Sequence, residues 1–279
     1  MPGFASYDQI INALTVNGKG EFPTFEKQSI TTVAGGRYSF GYVAGNPGAL
    51  TFGTALTATT VSQAVAGALV PFTDPTAPAT KHLLSAGYMS TVAAGTYMLY
   101  DCLARYPLNG TVVSGTFTSV TLPTRDNNGL SDGVGVMAMV LNASATASIA
   151  GNLTLTYTNS AGVAGRTTGA IPLIAGAQHR ILHDTNGFFM PLQAGDVGIR
   201  SIQSYTLSAS ITSPQIEIQL VRRLGIVPVG VAGQYTARNF VTDMPSMPKL
   251  FAGSALMTAL LASTTSSGIM NGDTQYGEN

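Results

Sequence analysis

Chemistry has few places to start in this chain. Gly129-Leu130-Ser131-Asp132-Gly133 fits the G-x-S-x-G pattern that sets a nucleophilic serine on a strained strand-to-helix turn. Here Asn127-Asn128-Gly129 reads as a turn before the serine and an apolar strand follows it, so the context is wrong. His179 and His183 stand four apart with Asp184 adjacent, a spacing that on a helix offers two imidazoles to one metal ion. The stretch between Gly176 and Gly187 reads instead as strand or loop, where positions i and i+4 lie about 13 Å apart, too far for one ion. The pair reads as partly exposed histidines near a loop. There is no H-E-x-x-H glutamate and no G-x-x-x-x-G-K-[ST] phosphate loop. Gly133-Val134-Gly135 lacks the third glycine and the helix of an anion-binding turn. Cys102 is the single cysteine, which excludes an internal disulfide and a cysteine zinc cluster. Arg222-Arg223, the one basic pair, reads as an edge or interface ion-pair site. No catalytic, cofactor-binding or metal-ligating residue is assigned, and no cofactor is expected.

The elements that would have to position such groups are mostly strands. Of 279 residues only 9% are charged, against about 25% in a typical soluble domain, and thirteen Lys and Arg balance thirteen Asp and Glu. A neutral chain without a basic stripe argues against nucleic-acid binding, and low net charge favours association. Thirty-two Gly and 14 Pro in a Thr- and Ser-rich chain favour short strands joined by turns. One helix is expected near the start, where Phe4, Tyr7, Ile10, Ile11 and Leu14 recur at three- and four-residue steps, Ser6 caps and Gly18 ends. Met1–Leu14 has no basic segment before an apolar run, so no secretory signal is read there. No apolar run reaches 18 residues, so no membrane helix is expected. The N-x-S/T sequons at Asn109, Asn142 and Asn152 read as chance in a Thr-rich sequence.

Strands are expected over Thr31–Val43, broken at Gly35-Gly36; around Tyr97–Tyr100; over Thr111–Leu122, with Gly115 a possible bulge; and over Gly133–Leu141, apolar on both faces. A further strand puts Leu153, Leu155 and Tyr157 on one face. Ile199–Ile211 and Gln215–Val221 read as a pair around Pro214. Residues 53–70 allow helix or strand, and Pro71, Pro75 and Pro78 make an irregular connector. The fold class expected is all-β, a β-sandwich or jelly-roll body over 31–240. A short N-terminal helix and arm precede it over 1–30, and a C-terminal segment follows over 241–279.

Several stretches resemble a family of tailed-bacteriophage virion structural proteins. They are Phe4-Ala5-Ser6-Tyr7-Asp8 with Ile11 and Leu14, Gly95–Asp101 (GTYMLYD), Leu155–Arg166 (LTYTNSAGVAGR) and Phe189–Ile202 (FMPLQAGDVGIRSI). Cys102 departs from the pattern, where Arg is expected. The resemblance implies a virion component and no catalytic residues. It leads to a capsid decoration (cement) protein on the capsid surface of the virion, made in the host cytoplasm. Its partners would be itself, as a homotrimer, and the major capsid protein, with no nucleic acid and no membrane. A tail or receptor-binding component is the alternative, and a cell-wall or capsule hydrolase using Ser131 is the third reading. Gly162 and Gly165 are expected in a tight turn, Asp196 in a turn through its own side chain, and Arg200 paired with Asp196 or a neighbouring subunit. The 1–30 segment is expected to be the capsid-facing arm. The apolar run Leu250–Leu261 is read either as a last core element or as a subunit contact.

Overall fold

The computed structural model describes residues 4–143, 151–174, 178–183, 187–211, 215–243 and 247–279. It is all-β with one short helix, α1 (Tyr7–Thr15). The strands are β1 (Gly20–Glu21), β2 (Thr24–Lys27), β3 (Arg37–Ser39), β4 (Gly45–Asn46), β5 (Thr59–Thr60), β6 (Lys81–Ser90), β7 (Gly95–Leu108), β8 (Ser114–Thr116) and β9 (Val136–Asn142). They continue with β10 (Asn152–Asn159), β11 (Arg166–Thr167), β12 (Ile171–Pro172), β13 (Ile199–Leu207), β14 (Ile216–Val229), β15 (Thr236–Asn239), β16 (Lys249–Leu250), β17 (Leu256–Ala262) and β18 (Met270–Glu278). No described helix is long and apolar enough to cross a membrane.

These strands make three antiparallel sheets. The first runs β15-β6-β18-β2-β4, with β1 beside β18 and β16 beside β6; the second runs β11-β10-β13-β8, with β12 beside β10. The third runs β3-β17-β7-β14-β9, with β5 beside β7, and it curls until its two edges meet one segment. Ser39 and Ile181 donate backbone hydrogen bonds across β3 to His179 and Arg37, while Asn142 and Leu182 donate across β9 to Arg180 and Val140. Residues 179–182 therefore staple both edges, and the sheet closes as a small barrel, which removes the exposed strand edges.

One irregularity in β7 lets a single sheet serve three cores. Leu220 pairs with Ala104 and Val221 with Cys102, so Leu103 is an inserted bulge residue. Before it, Tyr97 and Leu99 point out of the barrel into a core shared with the first sheet. After it, Ala104, Tyr106 and Leu108 point out into a core shared with the second sheet. Met98, Tyr100 and Cys102 point inward to a third core with Met139, Ile181 and Met257. Strands covered on both faces lose the apolar–polar alternation.

Several sequence expectations hold. Ser6 caps α1 by accepting from the Gln9 N–H. Leu153, Leu155 and Tyr157 share the buried face of β10. Of the two readings of Leu250–Leu261, the structure has a core element over its second half, where Leu256–Ala262 is a strand between β3 and β7. Others are corrected. The run at Tyr97–Tyr100 is the start of a 14-residue strand. Thr111–Leu122 contributes only Ser114–Thr116, because the Thr118 amide leaves the sheet to donate to the Leu56 carbonyl. Gly115 is no bulge; a Cβ there would strike Leu56 and Tyr205. Ile199–Ile211 and Gln215–Val221 do not pair: β13 joins β10 and β8, while β14 joins β7 and β9. Pro214 lies outside the described residues. Residues 53–70 hold only the short β5 and turns.

The barrel interior is polar at one end. Glu217 and Gln219, the polar positions of β14, are fully buried rather than solvated. Glu217 accepts from Arg105 Nε at 2.8 Å, Tyr42 Oη at 2.6 Å and Gln219 Nε2 at 2.8 Å. Arg105 also donates to the Thr51 carbonyl at 2.7 Å, tying the 42–51 loop to the barrel. Removing one partner of a buried pair strands the other charge. Glu217→Ala is expected to cost about 4 kcal/mol in denaturant unfolding. The double variant Arg105→Leu/Glu217→Leu should lose less than that single change, because neither charge is left unpaired.

Candidate functional site

Two of the stretches that carry the virion-protein resemblance meet in space. Asp196, in the turn before β13, does not fold back on its own turn. Its carboxylate accepts from Tyr157 Oη at 2.6 Å and Asn159 Nδ2 at 2.7 Å, both on β10, and from Arg166 Nε on β11 at 2.9 Å. The Gln193 amide donates to the Tyr157 hydroxyl at 2.9 Å, and Arg166 reaches the Ala194 carbonyl at 3.2 Å. Asn159 shapes the hairpin by accepting from the Ala161 and Val163 amides. Gly162 and Gly165 supply the positive φ, +80° and +73°, that this turn needs. Arg200 pairs with Asp132 at 3.8 Å instead of with Asp196, and both side chains are nearly half exposed.

The third stretch ends at Asp101, and its chemistry is also fully satisfied. Asp101 is buried on β7 and accepts from the Ala255 amide at 2.9 Å and Ser254 Oγ at 2.8 Å. Arg222 lies at 3.4 Å and Arg125 at 3.5 Å. Arg222 is thus neither an edge nor an interface residue: it sits on a central strand directly across from Asp101, while Arg223 is exposed. Arg125 also donates to the carbonyls of Gly253, Val61 and Cys102. The Cys102 thiol that follows is fully buried, and burial pushes its pKa far up, which suppresses the thiolate a nucleophile requires.

The enzyme-like motifs prove to be architecture. Ser131 lies in a loop whose amides at Asn128, Leu130, Gly133 and Val134 converge on the Asp126 carboxylate at 2.8–3.2 Å. No strand leads into the serine and no helix follows it, so a nucleophile elbow is not formed. His179 and His183 flank the barrel staple. His179 is partly buried with φ +72°, and His183, expected to be partly exposed, is fully buried; Asp184 lies outside the described residues. Among the described residues no three His, Cys, Asp or Glu side chains gather as metal ligands. The Asp101 and Glu217 clusters were missed in the sequence. Their signal was the lone acidic residue on each of the two 14-residue strands, which burial converts into an obligatory ion pair.

No protein-family model matches the chain, and no curated protein sequence matches it. Among solved structures it aligns with a chain from the structure of infectious bursal disease virus, Gt strain, at 10% identity. That alignment covers 96% of this chain and 86% of the other, with a TM-score of 0.18. A chain of the infectious bursal disease virus VP2 subviral particle aligns at 9% identity over 98% and 86%, with a TM-score of 0.19. At these TM-scores neither alignment carries an argument about fold or function.

Two pH dependences follow from these geometries. The hydrogen bond from Arg166, opposed by partial burial and aided by Tyr157 and Asn159, holds the Asp196 carboxyl down at about 2 against an ordinary 3.8. A depressed carboxyl stabilises the fold above its unfolded pKa and loses that effect as pH falls through its folded value. The Tm advantage of the wild type over Asp196→Asn is therefore expected to be constant above pH 5 and to vanish between pH 4 and 2. Burial holds His179 at about 4 against an ordinary 6.5, so the unfolded chain takes up that proton first as pH falls. Wild-type Tm should drop between pH 6.5 and 4. His179→Asn, which tolerates positive φ and does not titrate, should show a shallower drop. His82, also lowered by burial, contributes equally to both proteins.

Proposed function

We propose that the protein is a structural component of a tailed-bacteriophage virion: a decoration protein that sits on the capsid surface as a homotrimer and binds the major capsid protein. The observation that carries this reading is the Asp196 cluster. The Leu155–Arg166 and Phe189–Ile202 stretches, which carry the resemblance, supply every residue of it, and all of them do structural work. A pattern held together by such contacts belongs to a scaffold.

The surface supports the same reading. Five of the thirteen Lys and Arg are buried (Lys27, Lys81, Arg105, Arg125, Arg222), as are, among the described Asp and Glu, Asp101, Asp126 and Glu217. The charged side chains left at the surface are few and of both signs, so little repulsion opposes association. The contact to the capsid is placed on the N-terminal segment, as a face and not as a loose arm. Helix α1 buries Ile10 and Ala13 but leaves Tyr7 63% and Ile11 55% exposed, and Phe22 beyond it is 60% exposed. Around that face the segment is anchored: β1 pairs with β18, and Glu21 binds the buried Lys81 and the Thr73 amide. Removing residues 1–21 would delete β1 and take Glu21 from the buried Lys81, leaving it Glu278 and the Thr73 carbonyl, so point changes test the surface more cleanly than deletion.

Light scattering on the purified protein is expected to give three times the chain mass. Added to undecorated heads, it should occupy them in electron micrographs, and Tyr7→Ser/Ile11→Ser should cut occupancy at least tenfold at unchanged Tm. A monomer at micromolar concentration that leaves heads bare overturns the reading, and labelling of the tail in virion images replaces it with a tail component.

A further inference from the structure

The outer face of the first sheet carries an arrangement that the decoration role does not use. Its strands are in direct register: Asn46 on β4 stands opposite Glu26 on β2, Glu26 opposite Asn271 on β18, and Asn271 opposite Met89 on β6. Two residues along, on the same face of the pleat, Thr24 stands opposite Asp273 and Asp273 opposite Gly87. The alternate residues turn inward, where Phe25 and Tyr88 pack edge to face with ring centroids 5.6 Å apart. Two glycines make the outer face usable. A Cβ at Gly272 would strike the Phe25 ring beneath the sheet, and a Cβ at Gly87 would strike the Tyr235 ring above it. Tyr235 therefore lies directly on the backbone of β6, and its hydroxyl donates to Asp273 Oδ1 at 3.0 Å. The result is a groove of about 410 Å³ between a half-exposed tyrosine ring and a bed of amides and carboxylates.

The chemistry of the lining selects a ligand class. Glu26 and Asp273 are acidic, Asn46 and Asn271 are amides, and no Lys or Arg lines the groove. Phosphates, nucleic acids and acidic polymers are repelled by such a surface. Strand addition is disfavoured, because β18 is paired on both sides along the groove and β4 covers β2 at Glu26 and Lys27. Apolar surface is limited to the Tyr235 ring and Met89, too little to anchor a hydrophobic peptide. A ligand that fits presents many hydroxyls for carboxylates to accept from and amides to bridge, plus an apolar C–H face to lie on an aromatic ring. The ring is already held in place by Gly87 and Asp273, so binding costs little ordering.

We propose that this groove binds a neutral oligosaccharide, with Tyr235 stacking on a sugar face and Glu26, Asp273, Asn46 and Asn271 bonding its hydroxyls. The site is independent of the virion reading and of the oligomeric state.

The test titrates the full chain with cello-, malto- and chito-hexaose in EDTA, with an oligogalacturonate as the acidic control. The chain has no Trp, so tyrosine emission reports directly and calorimetry confirms it. At least one neutral hexaose is expected to bind saturably with a Kd of about 10 μM to 1 mM, and the acidic oligomer should not bind. Tyr235→Ala should weaken binding at least tenfold, Tyr235→Phe less than threefold, and Asn271→Ala severalfold, all at wild-type Tm. Val163→Ala, exposed and away from the groove, should leave the binding unchanged. The proposal is overturned if no neutral hexaose binds at 10 mM (roughly the weakest affinity worth the name), if the acidic oligomer binds equally well, or if folded Tyr235→Ala binds like the wild type.

Discussion

The β7–β14 ladder is the constraint on which the rest of the molecule depends. It runs from Gly95 against Val229 to Leu108 against Ile216, and every hydrophobic core borrows one of its faces or ends. A regular ladder alternates faces without interruption. The Leu103 bulge shifts the side-chain phase by one, so the outward face is apolar on both sides of Asp101, with Tyr97 and Leu99 before it and Ala104, Tyr106 and Leu108 after, while two different sheets pack on it. At the seam between those two cores stands Asp101, fastened by Arg125, Arg222, Ser254 and the Ala255 amide. A buried carboxylate with that many partners fixes where one core ends and the next begins, a specificity that a leucine there would not impose.

The fold class was legible because it rests on local signals. Short strands, turn residues and the capped α1 are each written within a dozen neighbouring residues, as with Ser6 and Gln9 or the alternation of Leu153, Leu155 and Tyr157. Pairing was not legible. Gln215–Val221 follows Ile199–Ile211 closely, which suggests a hairpin, yet β14 leaves for another sheet because its apolar length matches β7, more than a hundred residues earlier. The Asp196 cluster was half legible. Its residues stood out singly, but a contact between Tyr157 and Asp196 spans 39 positions and no spacing rule reaches that far. His179 and His183 misled for the opposite reason: a spacing that means one thing on a helix means nothing on a segment whose backbone is committed to two strand edges.

Low charge also takes on a different meaning once the charges are placed. Lys27 is wholly buried, and its ammonium donates to the carbonyls of Val43, Pro47 and Gly48 at 2.8–3.2 Å, with burial lowering its pKa to about 8. Asp126 likewise spends its carboxylate on four loop amides. In a chain short of long helices, irregular segments hold many backbone groups that no ladder satisfies, and single buried charges gather them in. Much of the scarce charge here serves as internal fastening for loops, leaving the exterior to hydroxyls, amides and scattered apolar side chains.

The position of β18 has a consequence for biosynthesis. It lies between β6 and β2 and also pairs with β1, so β1, and β2 along one side, find their partner only among residues 270–278. At ordinary synthesis rates roughly 240 residues separate the two events by about 10–50 s. During that interval β1 has no strand to join and β2 has only the two-residue β4, and the second sheet can assemble ahead of the first. The nascent strands meet that wait with Glu21, Glu26 and Lys27 among their six residues, a charge density that discourages premature pairing with other chains.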